Sequence, residues 1–252
     1  MTSPEPFPAA RPMDHRAERI DLAAAFRWFA RLDMHESVAN HLSLAVSRSK
    51  FLINPRGRHF ARVCASDLLL LDATDKATLE RADAPDPTAW YLHARLHERV
   101  PEARCVMHLH SKYATALACL EDSTLYPIDM NTMRFFGRVA LDKGFSGMAL
   151  SDDEGNRVAS LLHGGRTVLL MANHGALVIG PSVAQAFDEF YYFERAAGTL
   201  LTCYATGKPL RIVSDEIAAL TEEQWRGYGQ LALDHFDNIK ALLDAEDPSY
   251  RR

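Results

Sequence analysis

Two histidines separated by a single residue, His108 and His110, are the most informative pair of side chains in the sequence. They end an apolar run, Cys105-Val106-Met107, of the kind that forms buried β-strands. Alternate residues of a strand point to the same face, so both imidazoles would project together. Such a pair is half of a binding site for Zn²⁺ or another divalent transition metal. Because the chain has 11 histidines in 252 residues, the pair alone is weak support for a metal site.

A third histidine, His174, makes a complete site plausible. It lies in the triplet Asn173-His174-Gly175, directly after a second apolar run over residues 168–171. The carboxyl ends of strands are where α/β proteins place their ligands. We therefore predict a metal centre formed by His108, His110 and His174, with Zn²⁺ as the favoured ion. The alternative is that these are surface or helix-capping histidines.

Other polar clusters are open to two interpretations. His93 and His97 are four residues apart on a predicted helix, but the residue after His93 is alanine, so the HExxH metalloprotease pattern is missing. We predict packing or helix-surface roles for them. The segments 40–43 and 54–57 could hold an anionic ligand or could be simple turns. The phosphate-loop, GxGxxG and GxSxG motifs do not occur, which weakens nucleotide-binding and hydrolase hypotheses.

Composition excludes several classes of protein. Apolar residues make up 48% and charged residues 24%, as in ordinary globular proteins, so whole-chain disorder is excluded. A formal charge of −5 disfavours nucleic-acid binding. No apolar stretch approaches the roughly 20 residues that span a bilayer, and the first residues lack a signal-peptide core. Four widely spaced cysteines without a CxxC motif favour a cytoplasmic location.

Strand-like and helix-like segments interleave along the chain, which predicts an α/β fold with a central mixed sheet and helical cover. We expect a flexible proline-rich arm over residues 1–14 and a single domain over 15–252 with a helical C-terminal tail. The predicted strands cover 41–47, 51–57, 67–72, 103–110 and two short stretches within 166–180. The predicted helices cover 15–33, 88–99, 111–120, 151–164, 181–206 and pieces of 214–245.

The order of four motifs resembles the class II aldolase/adducin family. They are NHLS (40–43), FLINPRG (51–57), WYLHARLHERVPEARCVMHLHS (90–111) and ANHGALVIG (172–180), and the resemblance covers about residues 15–205. It implies a three-layer α/β/α fold and a homo-oligomer, commonly a tetramer, with sites between subunits. It also implies that His108, His110 and His174 are the family's three metal-binding histidines, in agreement with the spacing argument.

The same resemblance shows where this chain departs from the aldolases. Ala89 stands where they carry the glutamate that acts as acid and base, and Pro87 and Thr88 replace two serines that hold the substrate phosphate. His41 stands at the position of a phosphate-binding asparagine, and Asp129 lies near that of the tyrosine proton donor. An enediolate-forming cleavage needs a base in reach of the proton it moves, and alanine cannot supply one. This pattern is closer to the adducin-like branch.

Two functional hypotheses follow. The first is a metal-dependent lyase that cleaves or decarboxylates a small, non-phosphorylated oxo- or hydroxy-acid, with the metal as Lewis acid. Its candidate proton-transfer residues are Asp129, Tyr126 and His41, and its candidate substrate-binding residues are Asn40, Asn54, Gly57 and Thr88. The second is a non-catalytic adducin-like assembly module with a residual metal site. Neither hypothesis involves nucleic acid or a membrane.

Overall fold

A seven-stranded mixed sheet forms the centre of the protein in a computed structural model that describes residues 13–252. The predicted arm over residues 1–14 lies, apart from its last two residues, outside the described residues. The strands are β1 (His41–Ala45), β2 (Lys50–Ile53), β3 (Leu69–Asp72), β4 (Cys105–Leu109), β5 (Val139–Asp142), β6 (Val168–Met171) and β7 (Gly175–Gly180). Their order is β3-β2-β1-β4-β7-β6-β5. Only the β5–β6 pair of this sheet is parallel, so the predicted mixed sheet is confirmed.

Helices cover both faces of the sheet and complete the α/β/α layering. They are α1 (Arg16–Arg31), α2 (Pro87–Arg99), α3 (Lys112–Ala118), α4 (Met130–Met133), α5 (Asp152–Ala159), α6 (Val183–Ala205), α7 (Asp215–Arg226) and α8 (Gly229–Glu246). The C-terminal helix α8 packs on the main core through Phe236, Ile239 and Leu243. Within residues 13–252, no helix combines the length and the apolar character that a membrane crossing requires.

Side-chain alternation along the strands divides the core into two layers. On β4, Met107 and Leu109 face the larger core beneath α1, α3, α6 and α8, whereas Val106 faces the smaller core beneath α2 and α5. On β1, Leu42 and Leu44 also face the larger core. Because successive side chains of a strand point to opposite faces, the remaining positions of both strands are directed towards α2.

Three of those remaining positions are polar. They are His41 and Ser43 on β1 and His108 on β4, and all three are buried. The two strands pair antiparallel with His41 opposite His108 and Ser43 opposite Val106. The pairing therefore places a row of polar side chains between the sheet and helix α2.

The N-terminus of α2 differs in detail from the sequence-based prediction. Asp86 is its N-cap and accepts a hydrogen bond from the backbone N–H of Thr88 at 3.0 Å, so the helix begins one residue before Thr88, at Pro87. Proline is favoured at the first helical position because its missing N–H would have no partner there. The helix predicted over residues 88–99 therefore begins one residue earlier, and its N-cap is the residue before the proline.

The contact between α2 and α5 depends on Gly155. A Cβ atom at this position would lie 2.1 Å from the carbonyl oxygen of Tyr91. We expect Gly155→Ala to lower the free energy of unfolding by about 1–3 kcal/mol, since the helices must separate. Gly229→Ala is the control, because no heavy atom lies within 4 Å of that Cβ. Urea denaturation of both variants is the measurement, and equal midpoints would contradict the proposed contact.

Candidate metal centre

His108 and His110 meet at the end of β4. His108 is the fourth residue of the strand, and His110 follows its last residue. The two Nε2 atoms lie 3.1 Å apart, which is close to the separation of about 3.3 Å expected between two nitrogen ligands of a tetrahedral Zn²⁺. The two imidazoles therefore lie side by side, as the alternation of side chains along the strand predicted.

His174 reaches this pair from the tight turn between β6 and β7. Asn173 has a left-handed backbone, with φ of 57°, which asparagine tolerates better than most residues. Gly175 lies so close to β4 that a Cβ atom would be 2.7 Å from the carbonyl oxygen of Leu109 and 2.9 Å from Cδ2 of His110. Only glycine permits this approach without a shift. The ring of His174 consequently lies 4.8 Å, centroid to centroid, from the rings of both His108 and His110.

The three side chains satisfy the donor requirements of a divalent metal. One ligating atom from each lies within 4.8 Å of the others. Nδ1 of His108 lies 3.1 Å from the carbonyl oxygen of Ala176. A carbonyl only accepts, so Nδ1 carries the proton and Nε2 keeps its lone pair for a metal. The residues therefore fit a metal held by three neutral imidazoles.

Two side chains from other elements hold the segment that carries His110. Oδ1 of Asn40 accepts from the backbone N–H of His110 at 3.3 Å and from that of Glu36 at 2.6 Å. Glu194 of α6 accepts from Ser111 Oγ and from the N–H groups of Tyr113 and Ala114 at 2.6–2.9 Å. This buried carboxylate caps helix α3 where its N–H groups lack partners.

Burial keeps the imidazoles of this region neutral. It lowers the pKa of His110 to about 4 and the pKa of His41 to about 3. The pKa of His108 is also far below its usual range because of burial and of the neighbouring histidines. Burial lowers the pKa of His174 too, against an opposing effect of Asp142. Neutral rings are the form that binds a metal, so the centre is ready to bind at neutral pH.

His41 lies beside the three histidines and continues into a buried row of polar groups. Its ring centroid is 5.0 Å from that of His108, and its Nδ1 is 2.8 Å from Nε2 of His93. Nδ1 of His93 contacts Ser43 Oγ, which is also 2.7 Å from Nε2 of His97. His93 and His97 were predicted to serve only packing or the helix surface. Their spacing on one helix face was the available signal, but the sequence did not show that β1 faces them.

The comparisons with known proteins agree with this architecture. Residues 20–201 match the family described as Class II Aldolase and Adducin N-terminal domain. The chain belongs to this family. An aldolase II superfamily protein from Pseudomonas syringae has the same fold, with a TM-score of 0.85, 28% identity, and coverage of 96% of this chain and 98% of that chain.

Two curated proteins that are similar to this chain have names that describe decarboxylases. Decarboxylase NovR of Streptomyces niveus is 29% identical over 239 residues, which are 93% of this chain and 87% of the relative. The 3-oxo-tetronate 4-phosphate decarboxylase of Haemophilus influenzae is 26% identical over 183 residues, which are 70% of this chain and 82% of the relative.

The four residues predicted to bind substrate differ in whether their polar groups already have partners inside the protein. Asn54 is fully used inside the protein, because it accepts from the N–H of Leu42 and donates to the carbonyl of Asn40. The Thr88 hydroxyl donates to Asp86 at 2.6 Å. Gly57 occupies an exposed turn with φ of 73°. Asn40 differs from all of these, since its buried Nδ2 has no hydrogen-bond partner among the described residues.

The predicted proton-transfer residues are not all at the metal centre. His41 is beside it, whereas Asp129 accepts from the N–H of Thr132 and caps α4. The Tyr126 hydroxyl donates to Asp122 at 2.9 Å. Ala89, at the position of the aldolase glutamate, is 2% exposed and packs in an apolar cluster with Phe51 and Trp90. Within the described part of one chain, His41 is thus the predicted proton-transfer residue that lies beside the three clustered histidines, with its ring next to that of His108.

The buried histidines predict a pH-dependent stability. Burial lowers the pKa of His97 to about 4 from an ordinary value of 6.5. Between these values the unfolded chain binds protons that the folded chain cannot, so stability falls as pH falls. We expect the urea midpoint of the metal-free protein to drop between pH 7 and pH 5, and to drop less in His97→Gln. His163→Gln, which changes an exposed histidine, is the control. Identical slopes for His97→Gln and the unsubstituted protein would contradict this prediction.

Proposed function

We propose that the protein is a metal-dependent carbon–carbon lyase that acts on a small oxo- or hydroxy-acid by decarboxylation or aldol cleavage. The observation that carries the proposal is the convergence of three neutral imidazoles on one point, beside His41 and the unpartnered amide of Asn40. A structural zinc site is usually closed by four protein ligands, whereas three ligands with an open position are typical of catalysis. The names of the two curated relatives support decarboxylation as one of the reactions.

His108, His110 and His174 would hold the metal, and we propose Zn²⁺ because imidazole nitrogens at this spacing suit it. When bound, the metal supplies Lewis-acid chemistry by polarising a carbonyl or stabilising an enolate oxygen of the substrate. The protein orients its ligands through the bond from His108 to the carbonyl of Ala176 and through the support that Asn40 and Glu194 give to the segment after β4.

The N-terminus of α2 supports the proposal that the substrate has no phosphate group. A helix N-terminus attracts anions through its free N–H groups and its dipole. Here the carboxylate of Asp86 already occupies that position, and both the N–H and the hydroxyl of Thr88 are directed to it. A phosphate would have to displace this carboxylate against charge repulsion. The relative from Haemophilus influenzae has a phosphorylated substrate in its name, so we propose that this chain differs from it in substrate.

Asn40 supplies the second contact to the substrate in this proposal. Its Oδ1 accepts from two backbone N–H groups, which fixes the orientation of the amide and leaves Nδ2 as a buried donor. A buried donor without an acceptor costs about 1–3 kcal/mol. An oxygen atom of the substrate would remove that cost, so the site favours an oxygen-rich ligand.

We also propose a homotetramer in the cytoplasm. The four cysteines are all free, which supports a reducing compartment. In a tetramer with sites between subunits, Asp129 and Tyr126 of one subunit could also lie near the metal centre of a neighbouring subunit. Sedimentation at several concentrations tests the assembly, and a monomer at every concentration would refute it.

The metal content is the first test of the proposed function. We expect about one Zn²⁺ per chain in protein purified without chelator, and we expect His108→Ala to lose it, since two imidazoles are too few for tight binding. Elemental analysis is the measurement, and His163→Ala is the matched control at an exposed position.

Turnover is measured on the same samples with a panel of 3-oxo and 3-hydroxy acids. The assay detects the release of carbon dioxide or of an aldehyde. Less than about a tenth of an equivalent of metal, no thermal shift with added Zn²⁺ and no turnover would favour the adducin-like module instead.

Asn40→Asp tests the proposed substrate contact. The variant keeps an acceptor oxygen for the two backbone N–H groups but replaces the free donor with a second oxygen. We expect KM for the best acid of the panel to rise roughly tenfold or more, because a donor to the substrate is lost. Asn54→Asp is the control, since its amide already donates to the carbonyl of Asn40. That variant should lose stability with a smaller effect on KM, and the reverse order would contradict the assignment.

A further inference from the structure

A continuous row of hydrogen bonds connects the metal centre to the far end of helix α2. It runs from His41 to His93, then to Ser43 and then to His97, and we call these four residues the histidine chain. His41 and Ser43 are alternate residues of β1, and His93 and His97 are one turn apart on α2. The row ends where Nδ1 of His97 lies 2.8 Å from the carbonyl oxygen of Ala103.

The carbonyl of Ala103 sets the direction of the first bonds. A carbonyl oxygen only accepts, so Nδ1 of His97 must carry a proton. In a neutral imidazole the other nitrogen, Nε2, is then an acceptor. Ser43 Oγ is 2.7 Å from this Nε2, so the single hydroxyl proton of Ser43 must point towards His97.

The same reasoning continues to the metal centre. Because the hydroxyl proton of Ser43 is used, its oxygen accepts from Nδ1 of His93. Nε2 of neutral His93 is then an acceptor, and Nδ1 of His41, 2.8 Å away, must donate to it. The remaining nitrogen of His41, Nε2, is left with a lone pair and has no hydrogen-bond partner within residues 13–252.

Among the described residues, no hydrogen-bonded charge reverses this order, and the Asp86 carboxylate acts on His41 only through space. His93 and Ser43 are completely buried and His41 is 3% exposed. His97 is half-buried, and desolvation lowers its pKa to about 4. No carboxylate accepts a hydrogen bond from any of the four residues within the described part of the protein. Buried imidazoles without a carboxylate partner are neutral, since the charged form is poorly solvated there.

We infer that His93, Ser43 and His97 are positioning residues that hold His41 as the Nδ1-protonated tautomer, so that His41 presents Nε2 as a proton acceptor beside the metal-binding histidines. The catalytic meaning of this inference rests on the proposed lyase function. A substrate hydroxyl would break its O–H bond, form an N–H bond at Nε2 and leave an alkoxide, and the same proton would return to the carbanion after carbon–carbon cleavage. His41 must therefore gain a proton at Nε2 before it can act as the proton donor that the sequence predicted.

Nitrogen NMR of the zinc-loaded full-length protein tests the inference directly. With ¹⁵N-labelled histidine, long-range proton–nitrogen correlation distinguishes protonated from unprotonated ring nitrogens, and His41→Gln identifies the signals of His41. We expect Nδ1 of His41 to have the shift of a protonated nitrogen and Nε2 that of an unprotonated one. The opposite assignment would overturn the inference.

Two pairs of variants test whether the histidine chain fixes the tautomer of His41. Ser43→Ala removes the hydroxyl that joins His93 to His97, and we expect the chemical shifts of the two His41 ring nitrogens to move towards an average. Ser43→Thr keeps a hydroxyl and should retain the single tautomer. His97→Gln keeps an acceptor and a donor in the same order and should preserve the tautomer, whereas His97→Leu, of similar volume, should lose it.

Unchanged His41 shifts in both Ser43→Ala and His97→Leu would overturn the positioning role, and if Ser43→Ala does not fold the His97 pair decides alone. The readout requires no turnover. A protein with the expected tautomer but no lyase activity would therefore refute only the proposed function.

Discussion

The antiparallel register between β1 and β4 is the constraint on which the site depends. It places His41 opposite His108 and Ser43 opposite Val106, with all of these side chains on the face towards α2. A shift by one residue would turn the polar side chains of β1 into the apolar core on the other face. That shift is prevented by Leu42 and Leu44, which are buried in the larger core. The packing on one face of the sheet therefore determines the positions of the polar groups on the other.

Polar groups buried at this density are tolerated because backbone carbonyls anchor them. The carbonyl of Ala176 fixes His108, and the carbonyl of Ala103 fixes the end of the histidine chain. A hydrogen-bonded network of this kind is rigid, because each bond determines the direction of the next. The unpartnered Nδ2 of Asn40 stands out against this background. In the proposed function, an oxygen atom of the substrate would satisfy it.

The features that could be predicted from the sequence are those that depend on local periodicity. The spacing of His108 and His110 and the glycine after His174 predicted that the three histidines come together, because strand alternation and a tight turn are local properties. The pairing of His41 with His93 joins residues 52 positions apart in sequence, and no local pattern reports it. Asn54 and Thr88 have the residue types of ligand-binding groups, but the fold uses them internally. Pro87 was a usable signal that α2 begins at this proline and that Asp86 is its N-cap.

The charge of the site connects the missing glutamate to the proposed substrate. Three neutral imidazoles leave the charge of a divalent metal uncompensated by its own ligands. The nearby carboxylate of Asp142 is already paired with Arg157 through two bonds of 2.8 Å. Ala89 stands where the aldolases have their glutamate, and it contributes no charge. In the proposed function, a chelating carboxylate of an oxo- or hydroxy-acid would provide the compensating negative charge. The absence of the glutamate and the proposed preference for an acid would then follow from the same charge balance.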